Sequence, residues 1–327
     1  MLTSAYIGRN GFICQRMYHK RGACAAESPS APAGSKPYSL RRPHPNYLPA
    51  TAPLSFMNSE DPNDRRGYHL EVGPDDVAAA VLLPGNPERV STITADWTDT
   101  TEVASHREYR TVTGAYRETP VSVTSTGIGS PSAAIAVEEL ARVGVETLIR
   151  VGSCGALPAD VAPGDLVITE GAIRGEGTSD EYVREDYPAA ADGEVVSALV
   201  TAAEKLGHDY HVGTTLSTDS FYAGQGRPGY DGYRPPHAAE VVDELRAAGV
   251  TNVEMEASAI LTLARLYGLR AGAVCTVYAN RETGAFEVTG ESRAAETASL
   301  AVHLLARMEV AKREAGVDRW HAGLSLS

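Results

Sequence analysis

Lysine is scarce after the first 56 residues: only Lys205 and Lys312 follow, so arginine supplies nearly all of the positive charge there. Lysine and arginine together are also far outnumbered by acids there: residues 57–327 hold 22 of the 29 basic side chains but 41 of the 42 acidic ones. So acidic a surface repels the phosphate backbone, which argues against a non-specific nucleic-acid-binding protein. An acid-rich, lysine-poor surface fits a halophilic protein from a high-salt cytoplasm, and an ordinary acidic enzyme is the alternative.

Cysteine and long apolar runs are lacking as well. The four cysteines show no metal-ligand spacing, and four are too few for a disulfide scaffold in 327 residues. We therefore expect a reducing compartment, the cytoplasm. No stretch approaches the ~18–20 continuous apolar residues of a membrane span, so we predict a soluble protein without a membrane partner.

Residues 1–56 differ in composition from the rest of the chain. They are rich in proline, serine, alanine and arginine, carry seven basic groups and one acid, and show no sustained hydrophobic periodicity. Such a segment cannot bury enough apolar surface to fold alone, so we expect it to be disordered. It superficially resembles an organellar transit peptide. Because the polar residues after Met57 match the acidic body, we favour an upstream start codon and a single domain over residues 57–327.

The chain after the leader alternates apolar β runs with amphipathic helices, which predicts an α/β domain. Predicted strands cover residues 77–83, 109–116, 121–125, 148–156, 165–174, 211–217 and 271–280. Predicted helices cover residues 131–143, 194–206, 238–248, 255–267 and 293–315. Polar motifs fall at the strand ends, where open α/β sheets bind ligands.

An arginine and a glycine turn occur together in the predicted strand 148–156. Gly152 and Gly155 permit close approaches that a Cβ would forbid. The Arg150 guanidinium and the Ser153 hydroxyl could then converge on one oxyanion, and the planar fork of arginine meets a phosphate with two parallel hydrogen bonds. A plain strand-to-loop turn is the alternative interpretation.

Two further segments bring arginines to strand ends. Gly85, directly after a predicted strand, lets the backbone approach an anion, and Arg89 follows four residues later. Arg107 lies at the start of another predicted strand. Each arginine alone is explained by a solvated surface charge or an ordinary turn. Together with Arg150 they predict a phosphate-binding site.

Two acids, Glu254 and Glu256, precede a strongly apolar predicted helix. The helix dipole favours acids at that end, which is the structural explanation for both. An ionised carboxylate also accepts two hydrogen bonds well. Glu256 could therefore hold both hydroxyls of a vicinal diol, as on a ribose.

Seven ordered motifs resemble the hexameric type of nucleoside phosphorylase, and within it the enzymes that cleave uridine. They run from about residue 68 to the last helix and read P-G-N-P-E-R, S-H-R-E-Y, S-T-G-I-G-S-P-S, R-V-G-S-C-G-A, S-F-Y-A-G-Q-G-R, V-E-M-E-A and V-Y-A-N-R. The resemblance implies a single-domain three-layer α/β sandwich with a mixed central sheet. It implies reversible phosphorolysis of uridine, with 2′-deoxyuridine or thymidine as further substrates, to uracil and ribose 1-phosphate. Inorganic phosphate would be the co-substrate, and no cofactor would be required.

The resemblance also implies roles for individual residues. Five would bind phosphate: Gly85, Arg89, Arg107, Arg150 and Ser153. Three would bind ribose: Met255 and Glu256, with His69 reaching the 5′ hydroxyl in the neighbouring subunit. The resemblance also implies an assembly in which three dimers form a homo-hexamer and each active site is shared between two subunits. Glu108, Ile128 and Ser132 match positions that hold a monovalent cation in some members, which predicts a potassium site at the dimer interface.

Base choice follows from a second set of residues. Purine-specific members place an aspartate near the strand end that reads Val277-Tyr278-Ala279-Asn280-Arg281 here, without an aspartate. Instead Gln225 and Arg227 match the pair that reads uracil, and their donors and acceptor complement its acceptor–donor–acceptor edge. Phe221 would flank the base.

Three features of this loop and strand depart from the family pattern. Gly226 replaces an acid and would loosen the loop, while Tyr278 and Ala279 replace branched apolar residues near the base. The alternatives left open are a purine nucleoside phosphorylase, a hydrolase-like relative that uses water, and a non-catalytic nucleoside-binding protein.

Overall fold

The computed structural model of the chain describes residues 66–324. All of them belong to one compact unit, Pro45–Ser327, and the other unit, Met1–His44, lies outside the described residues. The predicted leader, residues 1–56, lies outside them too, so its predicted disorder and the predicted start at Met57 stay predictions.

Ten strands and six α-helices make up the described part of the chain. The strands are β1 (Ala80–Pro84), β2 (Thr98–His106), β3 (Tyr109–Tyr116), β4 (Thr119–Thr124), β5 (Thr147–Ala156), β6 (Leu166–Gly175), β7 (Ala189–Ala190), β8 (Tyr210–Thr218), β9 (Asn252–Glu254) and β10 (Arg270–Asn280). The helices are α1 (Arg89–Ile93), α2 (Ser130–Arg142), α3 (Gly193–Leu206), α4 (Val241–Ala247), α5 (Ala257–Leu266) and α6 (Glu291–Ala315). None of these helices combines the length and the apolar character that crossing a membrane requires.

The strands form one mixed sheet in the order β10-β6-β8-β9-β5-β1-β4-β3-β2, with β7 beside β6. β10 also pairs with β5, so strands β5, β10, β6, β8 and β9 close into a ring at one end of the sheet. β1 runs parallel to its neighbours β4 and β5, whereas β2, β3 and β4 form an antiparallel edge. Strands β1 and β10 both run parallel to β5, so the carboxyl ends of these three strands lie at the same edge of the sheet.

Helices cover both faces of the sheet, and the alternation in β1 shows how the two cores divide. Leu82 packs in one core with α1, α3 and α6, while Val81 and Leu83 pack in the other with α2 and α5. Successive strand side chains point to opposite faces, which is why one strand serves both cores. This is a three-layer α/β sandwich with a mixed central sheet, and the predicted fold class is confirmed.

Local sequence explains where the helices begin and end. Pro131 occupies the first turn of α2, where its missing N–H has no partner to lose. The Asp192 side chain accepts hydrogen bonds from the amides of Glu194 and Val195 at the start of α3. Gly207 ends that helix with a φ of 69°, a conformation that costs glycine little.

Several elements differ from the predictions. Strands β2, β7 and β9 and helix α1 were not predicted, and the predicted helix 238–248 begins only at Val241, after a 3₁₀ turn at Pro236–Ala239. The predicted helix at residues 255–267 begins at Ala257, because Asn252–Glu254 pairs as β9 with β5 and β8. A three-residue strand is too short for periodicity to reveal.

Candidate active site

A cavity of about 360 Å³ opens at the carboxyl ends of β1, β5, β9 and β10. This is the position at which open α/β sheets bind ligands. Ten of the predicted site residues line it: Gly85, Arg89, Ile128, Arg150, Ser153, Phe221, Gln225, Arg227, Met255 and Glu256. Four others do not line it: His69, Arg107, Glu108 and Ser132.

Arg150 is a fully buried cation between two carboxylates. Its Nε lies 2.7 Å from Glu254 Oε2, and its Nη2 pairs with Glu256 Oε2. Burial alone would lower the pKa of Arg150, but the Glu256 and Glu254 carboxylates raise it by more than burial lowers it, so the guanidinium stays charged. Nη1 is buried and has no hydrogen-bond partner among the described residues. An oxyanion in the cavity would satisfy that donor, which is otherwise costly to leave unpaired.

Arg89 and Ser153 meet at the same end of the cavity. Nη2 of Arg89 lies 3.3 Å from Ser153 Oγ, so both side chains can face one ligand. Gly85 is closely packed there as well, since a Cβ would lie 3.1 Å from the Gly127 carbonyl oxygen. Together with Arg150, these groups provide two cations, a hydroxyl and a close backbone approach, which suits a phosphate.

Glu256 sits beside this charged end. Its Oε1 accepts a 2.6 Å hydrogen bond from the Gly129 amide, while Oε2 pairs with Arg150. Burial raises the pKa of Glu256, and the Arg150 cation opposes that rise. The Met255 carbonyl accepts a 2.9 Å bond from Ser130 Oγ, which ties this segment to the start of α2. The carboxylate is thus fixed in place, with its neighbour Met255 in the cavity wall.

Phe221, Gln225 and Arg227 line the cavity from the loop that follows β8. The Arg227 guanidinium stacks 4.1 Å from the Phe221 ring centroid, and its Nη1 donates to the Phe221 carbonyl at 3.0 Å and to Gln225 Oε1. Gly226 in this loop adopts a φ of 66°, and a Cβ there would lie 3.0 Å from the Ala238 carbonyl oxygen, so glycine permits this close packing. The predicted loosening of the loop stays a prediction.

His69 and Arg107 lie outside this cavity. His69 Nδ1 bonds Glu139 Oε1 at 2.8 Å, and Glu139 also accepts from the main-chain amides of His69 and Leu70. Arg107 lies in the turn between β2 and β3, not at a strand start as predicted, with an exposed side chain and a φ of 55°. The predicted role of His69 at the 5′ hydroxyl in a neighbouring subunit and the predicted phosphate-binding role of Arg107 stay predictions.

The predicted potassium ligands lie around the turn before α2. Ser132 Oγ donates to the carbonyls of Ile128, at 3.3 Å, and of Gly129, at 3.0 Å. Glu108 packs against the same turn, since a Cβ on Gly127 would lie 2.8 Å from its Cγ. Potassium binding there stays a prediction.

Several residues that shape the site were not predicted. Glu254 was explained by the helix dipole; it does accept the amides of Glu256 and Ala257, but it also holds Arg150. Glu291, at the start of α6, contacts Arg89 from 202 residues away. Arg281 lies beside Arg227, and its Nη1 is buried without a partner among residues 66–324. Glu254 and Arg281 lie in the motifs V-E-M-E-A and V-Y-A-N-R, which could have drawn attention to them, whereas Glu291 lies in none of the seven motifs.

Comparison with known proteins gives the family. The phosphorylase superfamily model matches residues 79–308. The chain is 56% identical to a uridine phosphorylase of Thermococcus kodakarensis over 271 residues, 82% of this chain and 98% of the relative. It is 46% identical to a guanosine phosphorylase of Halorubrum lacusprofundi over 217 residues, 66% of this chain and 84% of the relative. It is 40% identical to the uridine phosphorylase of Escherichia coli over 249 residues, 75% of this chain and 97% of the relative. The chain therefore belongs to the phosphorylase superfamily.

Proposed function

We propose that this protein catalyses the reversible phosphorolysis of uridine to uracil and ribose 1-phosphate, a reaction of pyrimidine nucleoside salvage. One observation carries the proposal: a single cavity is lined both by Arg89 and Arg150 and by Gln225 and Arg227. Glu256 lines the same cavity. The similarity to two uridine phosphorylases over most of their length supports the same reaction.

The reaction needs charge stabilisation at both ends of the breaking bond. The sugar develops oxocarbenium-like positive charge, which a phosphate dianion held by Arg89 and Arg150 stabilises. The base departs with negative charge, which Arg227 and the Gln225 amide stabilise as fixed donors. No covalent intermediate on the protein is required. Cys154 lines the cavity, but burial raises the pKa of its thiol well above the usual value, which argues against a nucleophilic thiolate.

Glu256 would orient the ribose. Its fixed carboxylate can accept the 2′ and 3′ hydroxyls, while Met255 packs against the sugar. A nucleoside lacking the 2′ hydroxyl loses only one of these bonds. We therefore expect 2′-deoxyuridine and thymidine to be cleaved as well, at lower efficiency.

Guanosine is the second candidate substrate, because a guanosine phosphorylase is among the relatives. Uracil presents acceptor, donor and acceptor along its edge, whereas guanine presents acceptor, donor and donor. Gln225 can match the central donor and one acceptor of uracil with its oxygen and NH₂ group. Guanine offers only one acceptor on this edge, so either the Gln225 NH₂ group or the Arg227 guanidinium would face the guanine amino group, donor against donor, and an unpaired buried donor is penalised. The Gln225–Arg227 pair therefore favours uridine.

We further propose that two copies share each site within a homo-hexamer arranged as a trimer of dimers. Support comes from His69 and Arg107, which lie outside the cavity of their own chain although the family pattern places both at a nucleoside or a phosphate. A neighbouring subunit would supply them. The potassium site at Glu108, Ile128 and Ser132 belongs to the same proposal, and replacing potassium by sodium at constant ionic strength tests it.

The test is release of uracil from uridine, with and without inorganic phosphate, in low and in molar potassium chloride. Release only with phosphate, accompanied by ribose 1-phosphate, is the expected outcome. Release without phosphate would indicate a hydrolase, and binding without release a nucleoside-binding protein. Guanosine and inosine run in parallel decide the base, while the salt profile tests the halophilic surface.

A further inference from the structure

Arg89 is held by two groups that no sequence motif connects to it. Its Nε donates to Glu291 Oε1 at 3.0 Å, and its Nη2 donates to the Tyr278 hydroxyl at 2.8 Å. The Tyr278 hydroxyl in turn donates to the same Glu291 oxygen. The three side chains therefore form a closed triangle of hydrogen bonds. The guanidinium also lies 5.5 Å from the centroid of the Tyr278 ring.

The triangle leaves Arg89 available to a ligand. Arg89 and Tyr278 both line the large cavity, but Glu291 does not. Glu291 instead lines a small crevice with Arg89 and Gly152. The carboxylate thus reaches Arg89 outside the large cavity, and Nη1 of Arg89 makes no hydrogen bond to any residue of the described range. An anion in the cavity can take that donor without displacing Glu291.

The backbone before Glu291 has a conformation that fixes the position of this residue. It is the first residue of α6, and Gly290 before it adopts a φ of 79°. A Cβ at residue 290 would lie 2.4 Å from Thr276 Oγ1 and 3.0 Å from the Gly164 carbonyl oxygen. Only glycine fits there without displacing its neighbours. Burial, reinforced by Glu291, raises the pKa of the Tyr278 hydroxyl, so that group remains a donor to the carboxylate.

We propose that Tyr278 and Glu291 are positioning residues that hold Arg89 for binding the attacking phosphate. The inference rests on the proposed role of Arg89 in phosphate binding. Fixing a long side chain before the ligand arrives removes part of the entropic cost of binding. In this chain the tyrosine, where the family pattern has a branched apolar residue, ties the strand end beside the base to the phosphate end of the cavity.

Steady-state kinetics separates this role from a general structural one. We expect Tyr278→Phe and Glu291→Ala each to raise KM for phosphate about threefold to tenfold, because each variant removes one hydrogen bond to Arg89. KM for uridine and kcat at saturating phosphate should stay close to wild type. Glu291→Gln should recover part of the loss, because the amide oxygen still accepts from Arg89 Nε. The double variant Tyr278→Phe/Glu291→Ala should lose less than the product of the single effects, since the two residues share one triangle.

Calorimetric titration with inorganic phosphate alone keeps this inference separate from the proposed function. If uridine is not cleaved, the proposed function fails, and the phosphate dissociation constants still judge the positioning role. Matched controls are Tyr230→Phe, a 97% exposed tyrosine, and Glu314→Ala, an exposed acid on the same helix. Unchanged phosphate affinity in both Tyr278→Phe and Glu291→Ala would overturn the inference. Tighter phosphate binding in Glu291→Ala would overturn it too, because Glu291 would then compete with phosphate for Arg89.

Discussion

Gly152 and Arg150 lie two residues apart on β5, and the arginine folds back over the glycine. A Cβ at residue 152 would lie 2.7 Å from Nη2 and 2.8 Å from Cζ of Arg150. It would also come within 2.9 Å of Cys275 Sγ on the neighbouring strand. The glycine therefore makes the space in which the guanidinium reaches both Glu254 and Glu256.

Gly152→Ala should displace the Arg150 guanidinium and weaken phosphate binding. Overpacking a buried site costs about 1–3 kcal/mol, so we expect a lower Tm together with a loss of about tenfold or more in kcat/KM for phosphate. Gly193→Ala is the matched control, because nothing lies within 4 Å of a Cβ at that position. Wild-type phosphate kinetics in Gly152→Ala would contradict this account of the site.

Arg227→Ala should remove nearly all cleavage of uracil nucleosides, a loss of about 10²–10³ in kcat, while leaving phosphate binding intact. Burial, helped by the neighbouring Arg281 cation, lowers the pKa of Arg227 to about 10, so the side chain remains charged at neutral pH. Removing a fixed donor aimed at developing negative charge costs about 10²–10³ in kcat. Uracil release and phosphate titration check the two halves of the prediction. Arg184→Ala, at an exposed arginine, is the control, and full activity of Arg227→Ala would refute the base-reading role.

The sequence predicted most of the sheet, because long runs such as β3 and β10 carry a clear apolar signal. It also placed Arg150 and Ser153 on one strand end, since both lie within four residues of each other. It did not reveal the contact of Arg89 with Glu291, because pairing across 202 residues depends on how α6 returns to β10. No local pattern encodes such a return.

Glu254 shows the opposite case: its position before an apolar helix was visible in the sequence, but the helix dipole explained only part of its role. An acid before an apolar helix is favoured by the helix dipole alone. The second function, pairing with Arg150, requires β9 to lie beside β5, and three residues are too few to predict a strand. His69 and Arg107 mark a further limit, because in the single chain both lie outside the cavity that holds most of the other predicted site residues.

Glu254→Gln should destabilise the fold more than a substitution that breaks a single surface ion pair. The carboxylate is buried, accepts from Ser217 Oγ and two helix amides, and neutralises Arg150. Breaking a buried pair costs about 3–5 kcal/mol, measurable by chemical denaturation. Glu102→Gln, which breaks the exposed pair with Arg110, should cost about 0–1 kcal/mol. Equal losses in the two variants would show that Glu254 does not hold the site together.

The cluster around Glu194 predicts a pH dependence of stability. Burial alone would raise the pKa of Glu194. The Trp320 amide at 2.9 Å and the Lys312 ammonium at 2.9 Å outweigh burial and hold this pKa below its usual value. A carboxylate whose pKa is lowered by folding stabilises the fold above its unfolded pKa, and that contribution disappears as the pH falls through the folded value.

The difference in Tm between wild type and Glu194→Gln should therefore be largest near pH 6 and shrink as the pH falls below the unfolded pKa of about 4.3. Thermal unfolding from pH 6 to pH 3 measures it. Glu185→Gln is the control, since Glu185 is exposed and forms no ion pair within residues 66–324. Its Tm difference should be small at every pH. A Glu194→Gln difference that stays constant across this range would mean that the mutation acts by disturbing the packing between α3 and α6, not by removing a stabilising charge.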